Sequence, residues 1–416
     1  MAYTSIIDWI TGVYSQHGWA DPIQANPYYP FGDAYNLPYD IGMKLWNIIG
    51  GAIAWLLDLL FPGNDVSTWL VCDMTNNIFA LVLFMVLVFA VVFVACLISL
   101  WEERKVLGRG MDRRGTMIGM WGFLQCVADG LKTFMKDNVF SKKVDGMTYW
   151  WTVALIIGTS VLIDCMVPLS PRWFVVNYDA GLLIIMGLYA LAPFFILVSG
   201  WSQNNKYSLI GGIRAAEMMI SYEVPLLIII ATAALLAGSL NINDIVMAQT
   251  HHFWYVIPMF VGFVTFMICA TAESERSPFD LAEAESELVE GWQTEYGGMK
   301  WGLIMLADYL RGACSCGIIV LLFFGGWNLP FMEWTYFLGD GIASFHQNFM
   351  WWFPAPELTF LLKAWLVFFV MIAIRLGTGR VRTDTILNLG WKVFMPLSIL
   401  NLVIVLIFKL FIGGVF

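Results

Sequence analysis

Charge is what this chain has least of. Only 13% of its residues are charged, where a soluble domain carries about a quarter. Hydrophobic residues make up 59% of it, and the mean hydropathy is +0.73. Apolar runs of roughly 18 residues or more recur, so the chain reads as an all-α polytopic membrane protein. It also lacks a basic tract, and its net charge is −9, so no nucleic-acid partner is expected. None of its seven cysteines (Cys72, Cys96, Cys126, Cys165, Cys269, Cys314, Cys316) forms a Cys-x-x-Cys pair. That argues against an iron–sulfur cluster, zinc or other metal in this chain. The four histidines, His17, His251, His252 and His346, fall outside the predicted spans, which removes bis-histidine haem ligation inside a bundle. His251-His252 reads as two polar loop residues ahead of a metal pair. Gly108-Arg-Gly110 is not followed by the rest of a dinucleotide motif, and no nucleophile–base arrangement is visible. The first residues show no secretory-signal pattern, and no internal repeat is evident.

What is present is a series of apolar runs. Residues 1–77 form an N-terminal extension with clusters such as Asn26-Pro-Tyr-Tyr-Pro-Phe-Gly32. Within it, Leu45–Phe61 suits an extra interfacial or membrane helix. Residues 78–416 form the membrane domain, with eight predicted transmembrane helices: Ile78–Trp101, Trp150–Val167, Gly181–Gly200, Val224–Leu240, Phe253–Thr271, Trp301–Phe324, Leu358–Ile374 and Trp391–Phe408. The loops at 102–149, 201–221, 272–300 and 375–392 hold 17 of the 22 Lys and Arg residues. The positive-inside rule puts them in the cytoplasm and both termini outside. In the most basic loop, Ile118, Trp121, Phe123, Leu124, Val127 and Leu131 recur at helical spacing. Gly119–Met135 is read as an amphipathic helix lying in the membrane interface, with a solvated loop helix as the alternative. The outer loop Gly325–Pro356 has no Lys or Arg and suits an aromatic belt, or else a partner surface.

One polar stretch stands out, Ala272–Tyr296, AESERSPFDLAEAESELVEGWQTEY. Its 25 residues hold eight acids (Glu273, Glu275, Asp280, Glu283, Glu285, Glu287, Glu290, Glu295) and one base, Arg276. If Pro278 opens a helix, the steps from Asp280 to Glu283, Glu287 and Glu290 put four acids on one face. Shielded from water, such a face would hold protons near neutral pH, as a relay requires. A solvated acidic loop is the alternative.

Other candidates lie inside the spans. Glu217 and Glu223 occur in Arg214-Ala-Ala-Glu-Met-Met-Ile-Ser-Tyr-Glu-Val-Pro225, at the start of the predicted span Val224–Leu240. A carboxylate entering the bilayer points to function; an acid favoured by a helix N-terminus is the alternative. Asp308 and Arg311, three apart, suit an ion pair. Lys363 suits snorkelling to the outer interface.

Several of these pieces together resemble one membrane subunit of respiratory complex I, the NADH-quinone oxidoreductase: the family called NADH dehydrogenase subunit 1 in mitochondria. They are Ala272-Glu273, Arg276-Ser-Pro-Phe-Asp-Leu281, Glu283-Ala-Glu-Ser-Glu-Leu-Val289 and Thr294-Glu-Tyr296. With them go Glu103-Arg-Lys-Val-Leu-Gly108, Leu124-Gln125, Ala128-Asp129-Gly-Leu-Lys132, Asn204-Asn-Lys-Tyr207, Gly212-Ile-Arg-Ala215, Ile220-Ser-Tyr-Glu223 and Leu389-Gly-Trp-Lys392. The resemblance runs from about Ile78 to the C-terminus. It implies an eight-helix core that forms the quinone entrance and chamber wall and couples quinone reduction to proton translocation in a respiratory-chain translocase. Quinone would be the substrate. Partners would be iron–sulfur peripheral-arm subunits, antiporter-like and small membrane subunits and the lipid bilayer. The implied location is a bacterial or archaeal cytoplasmic membrane.

By the same resemblance, Glu223, Glu273, Glu283, Glu285, Glu287 and Asp308 would serve proton coupling, Asp308 standing where the family often has Glu. Arg276 and Asp280 would lie in the arm-facing loop, and Trp121, Phe123 and Leu124 beside the quinone entrance. Arg380, Arg382 and Asp384 match a basic motif near the arm. The family's Gly-Pro-Asn is Gly115-Thr-Met117 here, and its Gln-Pro is Gln125-Cys126. The electron donor is left open. The competing readings are a quinone-free, energy-converting hydrogenase-type subunit, a stand-alone proton-coupled transporter and a structural membrane anchor.

Overall fold

The computed structural model describes residues 74–170, 178–251, 254–282, 285–328 and 355–412. The expected helix at Leu45–Phe61 and most of the aromatic outer loop lie outside them. The chain divides into two units, Met1–Val91 with Ser170–Asn177, and Val92–Leu169 with Tyr178–Phe416. Of the first, the described part is Met74–Val91 and Ser170. The second is described below.

Among the described residues every long element is a helix. In chain order they are α1 Met74–Gly110, α2 Phe123–Met135, α3 Gly146–Met166, α4 Gly181–Tyr189, α5 Ala192–Ser202, α6 Lys206–Ala237 and α7 Ile242–His251. Then come α8 Phe260–Glu273, α9 Glu285–Leu288, α10 Gly298–Phe323, α11 Ala355–Gly377, α12 Thr383–Leu389 and α13 Met395–Ile412. A π-helical turn, Gly390–Phe394, joins the last two.

Six stretches are long and apolar enough to cross a membrane among the described residues: Gly146–Met166, Gly181–Ser202, Lys206–Ala237, Gly298–Phe323, Pro356–Gly377 and Thr383–Leu410. The expected count of eight is therefore not reached on length and composition. The expected Ile78–Trp101 falls within α1. The expected Phe253–Thr271 shrinks to α8, whose 14 residues reach only about 21 Å. Tyr255–Met259 is a run of turns instead. Pro258 has no N–H to give a helix, and the Tyr255 N–H donates to the Gln249 side chain at 3.4 Å. The Gln249 amide in turn donates to the Leu321 carbonyl at 2.9 Å.

Two spans carry an internal proline, and one of them breaks. α4 and α5 break at Ala190–Leu191, because Pro193 cannot donate to the Tyr189 carbonyl one turn back. In α6, Pro225 likewise frees the Ser221 carbonyl, but the helix runs on. Gly390 approaches that carbonyl so closely that a β-carbon there would lie 3.2 Å from it, and the Trp391 indole donates to the Ser221 hydroxyl at 3.0 Å.

α6 is the centre of the bundle, packed against α5, α8 and α13. It is also longer than the apolar run suggests. The helix starts at Lys206, so Glu223 sits about 25 Å along it. The expected span start at Val224, with Glu223 as an N-terminal acid, is therefore replaced by a carboxylate deep inside a continuous helix. Lys363 corrects a second expectation. Its ammonium does not snorkel; it donates to the Phe324 and Gly326 carbonyls at 2.8 Å and to that of Asn328. It thereby caps the end of α10, where carbonyls lose their helical partners.

Gly211 marks a tight crossing of α6. A β-carbon there would lie 2.7 Å from Gly291 Cα and Trp292 N. Gly211→Ala is expected to cost about 1–3 kcal/mol by overpacking, read as a lower thermal unfolding midpoint in detergent. An unchanged midpoint would contradict this crossing.

Candidate functional site

The acidic stretch does not form the expected helix. Asp280 lies in a turn, and among the described residues between it and Glu290 the helical ones are Glu285–Leu288. Val289 has φ +67°, which ends any helical path before Glu290. Of the four acids expected on one face, the described Asp280, Glu287 and Glu290 therefore do not share a helix, and Glu283 lies outside the described residues. Two causes act together. Like charges at that spacing oppose a helix, and the apolar residues between them are drawn inward: Phe279, Leu281, Leu288 and Trp292 are all buried.

The stretch instead has a buried first half and an exposed middle. From Thr271 to Ala282 every residue is buried or half-buried. Further on, Glu287 and Glu290 are exposed, and Glu287 accepts from Arg214 at 2.8 Å. Glu283 and the side chain of Glu285 lie outside the described residues. The end is pinned by Tyr296. Its ring stacks on Tyr149 at 4.5 Å, and its hydroxyl accepts from Ser199 at 2.8 Å. The Tyr149 hydroxyl donates to the Glu295 carbonyl at 2.8 Å. Between these ends, the Gln203 amide donates to the Trp292 carbonyl at 2.5 Å.

Beneath the buried half lies a cluster of charged side chains. Glu273, the last residue of α8, is 3% exposed, and neither carboxylate oxygen has a hydrogen-bond partner. Its charged neighbours are Arg311, Glu223 and Glu275. Arg311, 2% exposed on α10, donates to Asp308 one turn earlier. The remaining nitrogens of Arg311, Nε and Nη1, are buried without protein acceptors, and Glu275 and Glu273 are the further acids that act on it. Glu275 accepts from the Trp292 indole at 3.4 Å. Burial first, and the Asp308 charge second, push Glu275 up to about 7, against the pull of Arg311. The site brings together Glu223, Glu273 and Asp308 of the expected residues, and adds Glu275 and Arg311.

A second node holds the stretch to α1 and α11. Glu103 accepts from Arg276 at 2.7 Å through one oxygen and from Arg375 through the other. The Arg276 guanidinium also lies over the rings of Tyr309 at 4.8 Å and Phe368 at 4.9 Å. It is thus engaged inside the protein. Asp280 pairs with Arg380 at 3.3 Å, and Arg382 with Asp384 at 3.0 Å in an exposed position. Next to Glu103, both oxygens of Glu102 are buried as well.

The helix expected over Gly119–Met135 starts only at Phe123, as α2, because Gly119, Met120, Trp121 and Gly122 all have positive φ, and Met120–Gly122 forms a 3-10 turn before it. Trp121 is 84% exposed, Leu124 and Leu131 are exposed, and Phe123 is half-buried. Its preceding turn is tied to α1, since the Lys105 ammonium donates to the Thr116 and Trp121 carbonyls at 3.0 and 2.9 Å. Gly122 has φ +95°, and a β-carbon there would lie 2.3 Å from the Thr116 oxygen. Arg104 pairs with Asp129 across the same junction. An apolar face left open on a helix held this firmly suits lipid or an apolar ligand.

Residue order alone does not mark Glu102, Glu103 and Glu275 as site residues. The available signal is position: Glu102 and Glu103 end the apolar run of α1, and Glu275 follows Glu273 at the end of α8.

Glu103→Gln removes the counter-charge of two arginines at once. A loss of about 3–5 kcal/mol is expected, against no more than about 1 kcal/mol for the exposed Glu287→Gln. Thermal unfolding of both variants checks it, and equal losses would contradict the assignment. Glu275 gives a pH dependence. Its folded value, about 7, lies above the ordinary 4.5. The folded state therefore holds more protons between those values, and stability falls as pH rises through this window. Glu275→Gln is expected to flatten that slope in thermal unfolding between pH 4.5 and 7. An unaltered slope would show that Glu275 titrates as a solvated acid.

Residues 81–406 match the family model described as NADH dehydrogenase.

Proposed function

The chain belongs to the NADH dehydrogenase family, that of the complex I membrane subunit known in mitochondria as subunit 1, and from this premise we propose that it forms a quinone entrance and chamber wall and couples quinone reduction to proton translocation. Its coarser place follows from the family and the apolar helices: a membrane subunit of a complex I-type assembly with other subunits.

The observation that carries the proposal is the enclosed cluster of Glu223, Glu273, Glu275, Asp308 and Arg311. Four carboxylates with one guanidinium among them cannot all be ionised cheaply away from water. Such groups titrate as a set, so a charge arriving nearby redistributes protons over all of them. Glu275, poised near 7, is the member that belongs to the turn after α8. Reduction of a quinone headgroup brings negative charge, and the cluster answers by taking up or passing on protons. Exposed Trp121 in the turn before α2, with exposed Leu124 and half-buried Phe123 on α2, supports a tail entrance beside it. In this reading Glu103 and Arg276 hold the loop to α1, and Asp280, Arg380 and Arg382 offer polar surface to an iron–sulfur arm. The basic loops then face the cytoplasm. Glu287, exposed and paired with Arg214, serves the outer, solvated part of the proton path, and Glu283 and Glu285 are further proton-coupling acids of the same stretch.

The test uses the assembled complex, purified from gently solubilised membranes and reconstituted in vesicles. Glu223→Gln and Glu273→Gln are each expected to lower coupled quinone reduction several-fold while the iron–sulfur and antiporter-like subunits stay bound. Exposed Glu290→Gln is expected to change neither turnover nor pumping. Normal turnover and proton pumping in both buried variants would overturn the proposed coupling.

A further inference from the structure

Asp164 takes no part in the cluster just described, yet it too is a carboxylate buried within a span. It lies in the last turn of α3, at the opposite end from Gly146, and is 8% exposed. Its Oδ2 is buried with no hydrogen-bond partner. No Lys or Arg acts on it among the described residues. The side chains within its electrostatic reach are Cys96 on α1, Cys165 beside it, Tyr189 on α4 and Cys314 on α10. An acid placed so deep, without a counter-charge, is costly and needs a reason.

The neighbours connect it to the cluster. On α10, Asp308, Arg311 and Cys314 follow one another at three-residue steps, so they descend one side of the helix. They reach from the buried acidic stretch toward the level of Asp164. The same relation holds at the far side, where a β-carbon on Gly317 would lie 3.2 Å from the Val167 side chain. Tyr189 stands between. Its hydroxyl donates to the Arg311 carbonyl at 3.1 Å and lies beside Cys314, with Asp164 and Glu273 both within its electrostatic reach. It also sits at the break between α4 and α5, where Pro193 leaves the Tyr189 carbonyl without its helical donor. A helix broken at mid-span can rock about that point more readily than a continuous one.

We propose that Asp164 is a proton-exchanging carboxyl that extends the acid cluster toward the opposite face of the membrane within this chain, with the Tyr189 hydroxyl as the linking group. The proposal rests on the coupling reading above. Once Asp164 has released its proton at the far end of α3, the Tyr189 hydroxyl leaves the Arg311 carbonyl, turns to the Asp164 carboxylate and hands its proton over as its oxygen takes one from the Glu273 side. Protons are conserved at each transfer, and no electron is exchanged. Among the described residues no cation is paired with Asp164, so its proton exchanges there without breaking an ion pair. That sets it apart from Asp308.

The test compares Asp164→Asn, Asp164→Glu and Tyr189→Phe in the assembled, reconstituted complex, with exposed Asp179→Asn as the control and Glu223→Gln as the reference. Asp164→Asn is expected to lower pumped protons per electron several-fold and to remove a protonated-carboxyl band from the infrared difference spectrum of quinone reduction. Asp164→Glu is expected to retain pumping with that band shifted, and Tyr189→Phe to lower pumping less than Asp164→Asn does. Asp179→Asn is expected to change nothing. Normal pumping in Asp164→Asn together with impaired Glu223→Gln would overturn this proposal alone. Normal pumping in both would overturn the coupling reading and this proposal with it. If Asp164→Asn fails to assemble, the infrared band of Asp164→Glu decides, and an unshifted band overturns the proposal.

Discussion

One buried guanidinium sets the terms for the rest of the structure. Arg311 stands among Asp308, Glu275 and Glu273, with Glu223 acting on the last of these. Enclosed charges must be paired or neutralised, because the solvation they lose is worth several kcal/mol per ion. A single cation cannot balance four acids, so the remainder is made up by protons held in common. The elements that enclose this site are arranged accordingly. α6 runs unbroken past Glu223, α8 ends on Glu273, and the tyrosine anchor at Tyr296 closes the polar stretch from behind.

The acidic stretch joins two environments in one loop. Its first half is folded inward, held by the Glu103–Arg276 pair and by Phe279 and Leu281. Farther along, Glu287 meets Arg214 at the surface, where the pair is screened and contributes little. A loop built this way can sense charge on one side and solvent or a partner on the other. The α2 segment repeats the principle with apolar groups. Backbone ties from Lys105 and the Arg104–Asp129 pair fix it, while its exposed rings are left for a membrane or an apolar ligand.

Much of this is legible from residue order. Apolar length locates the long helices, the period of α2 is visible, and the three-residue step correctly pairs Asp308 with Arg311. The family resemblance draws attention to the acidic stretch. What escapes is long-range partnership. Glu103 looks like a plain polar end to an apolar run, yet its arginines lie 173 and 272 residues away. Lys363 looks like a snorkelling end residue until the α10 carbonyls are seen within its reach. Glu223 looks like a helix start because hydropathy rises only at Val224, while Gly, Ala and Met residues carry the same helix back to Lys206. The helix expected from Asp280 to Glu290 fails because spacing alone ignores the repulsion it creates and the buried anchors that redirect the chain.

The most direct test of the central claim is labelling of carboxyl groups in the purified chain with a water-soluble carbodiimide and an amine, read by mass spectrometry residue by residue. Glu287 and Glu290 are expected to label readily, and Glu273 and Glu275 to resist until the protein is unfolded. Equal labelling of all four in the folded chain would show the stretch to be a solvated loop, and the buried cluster with everything built on it would fall.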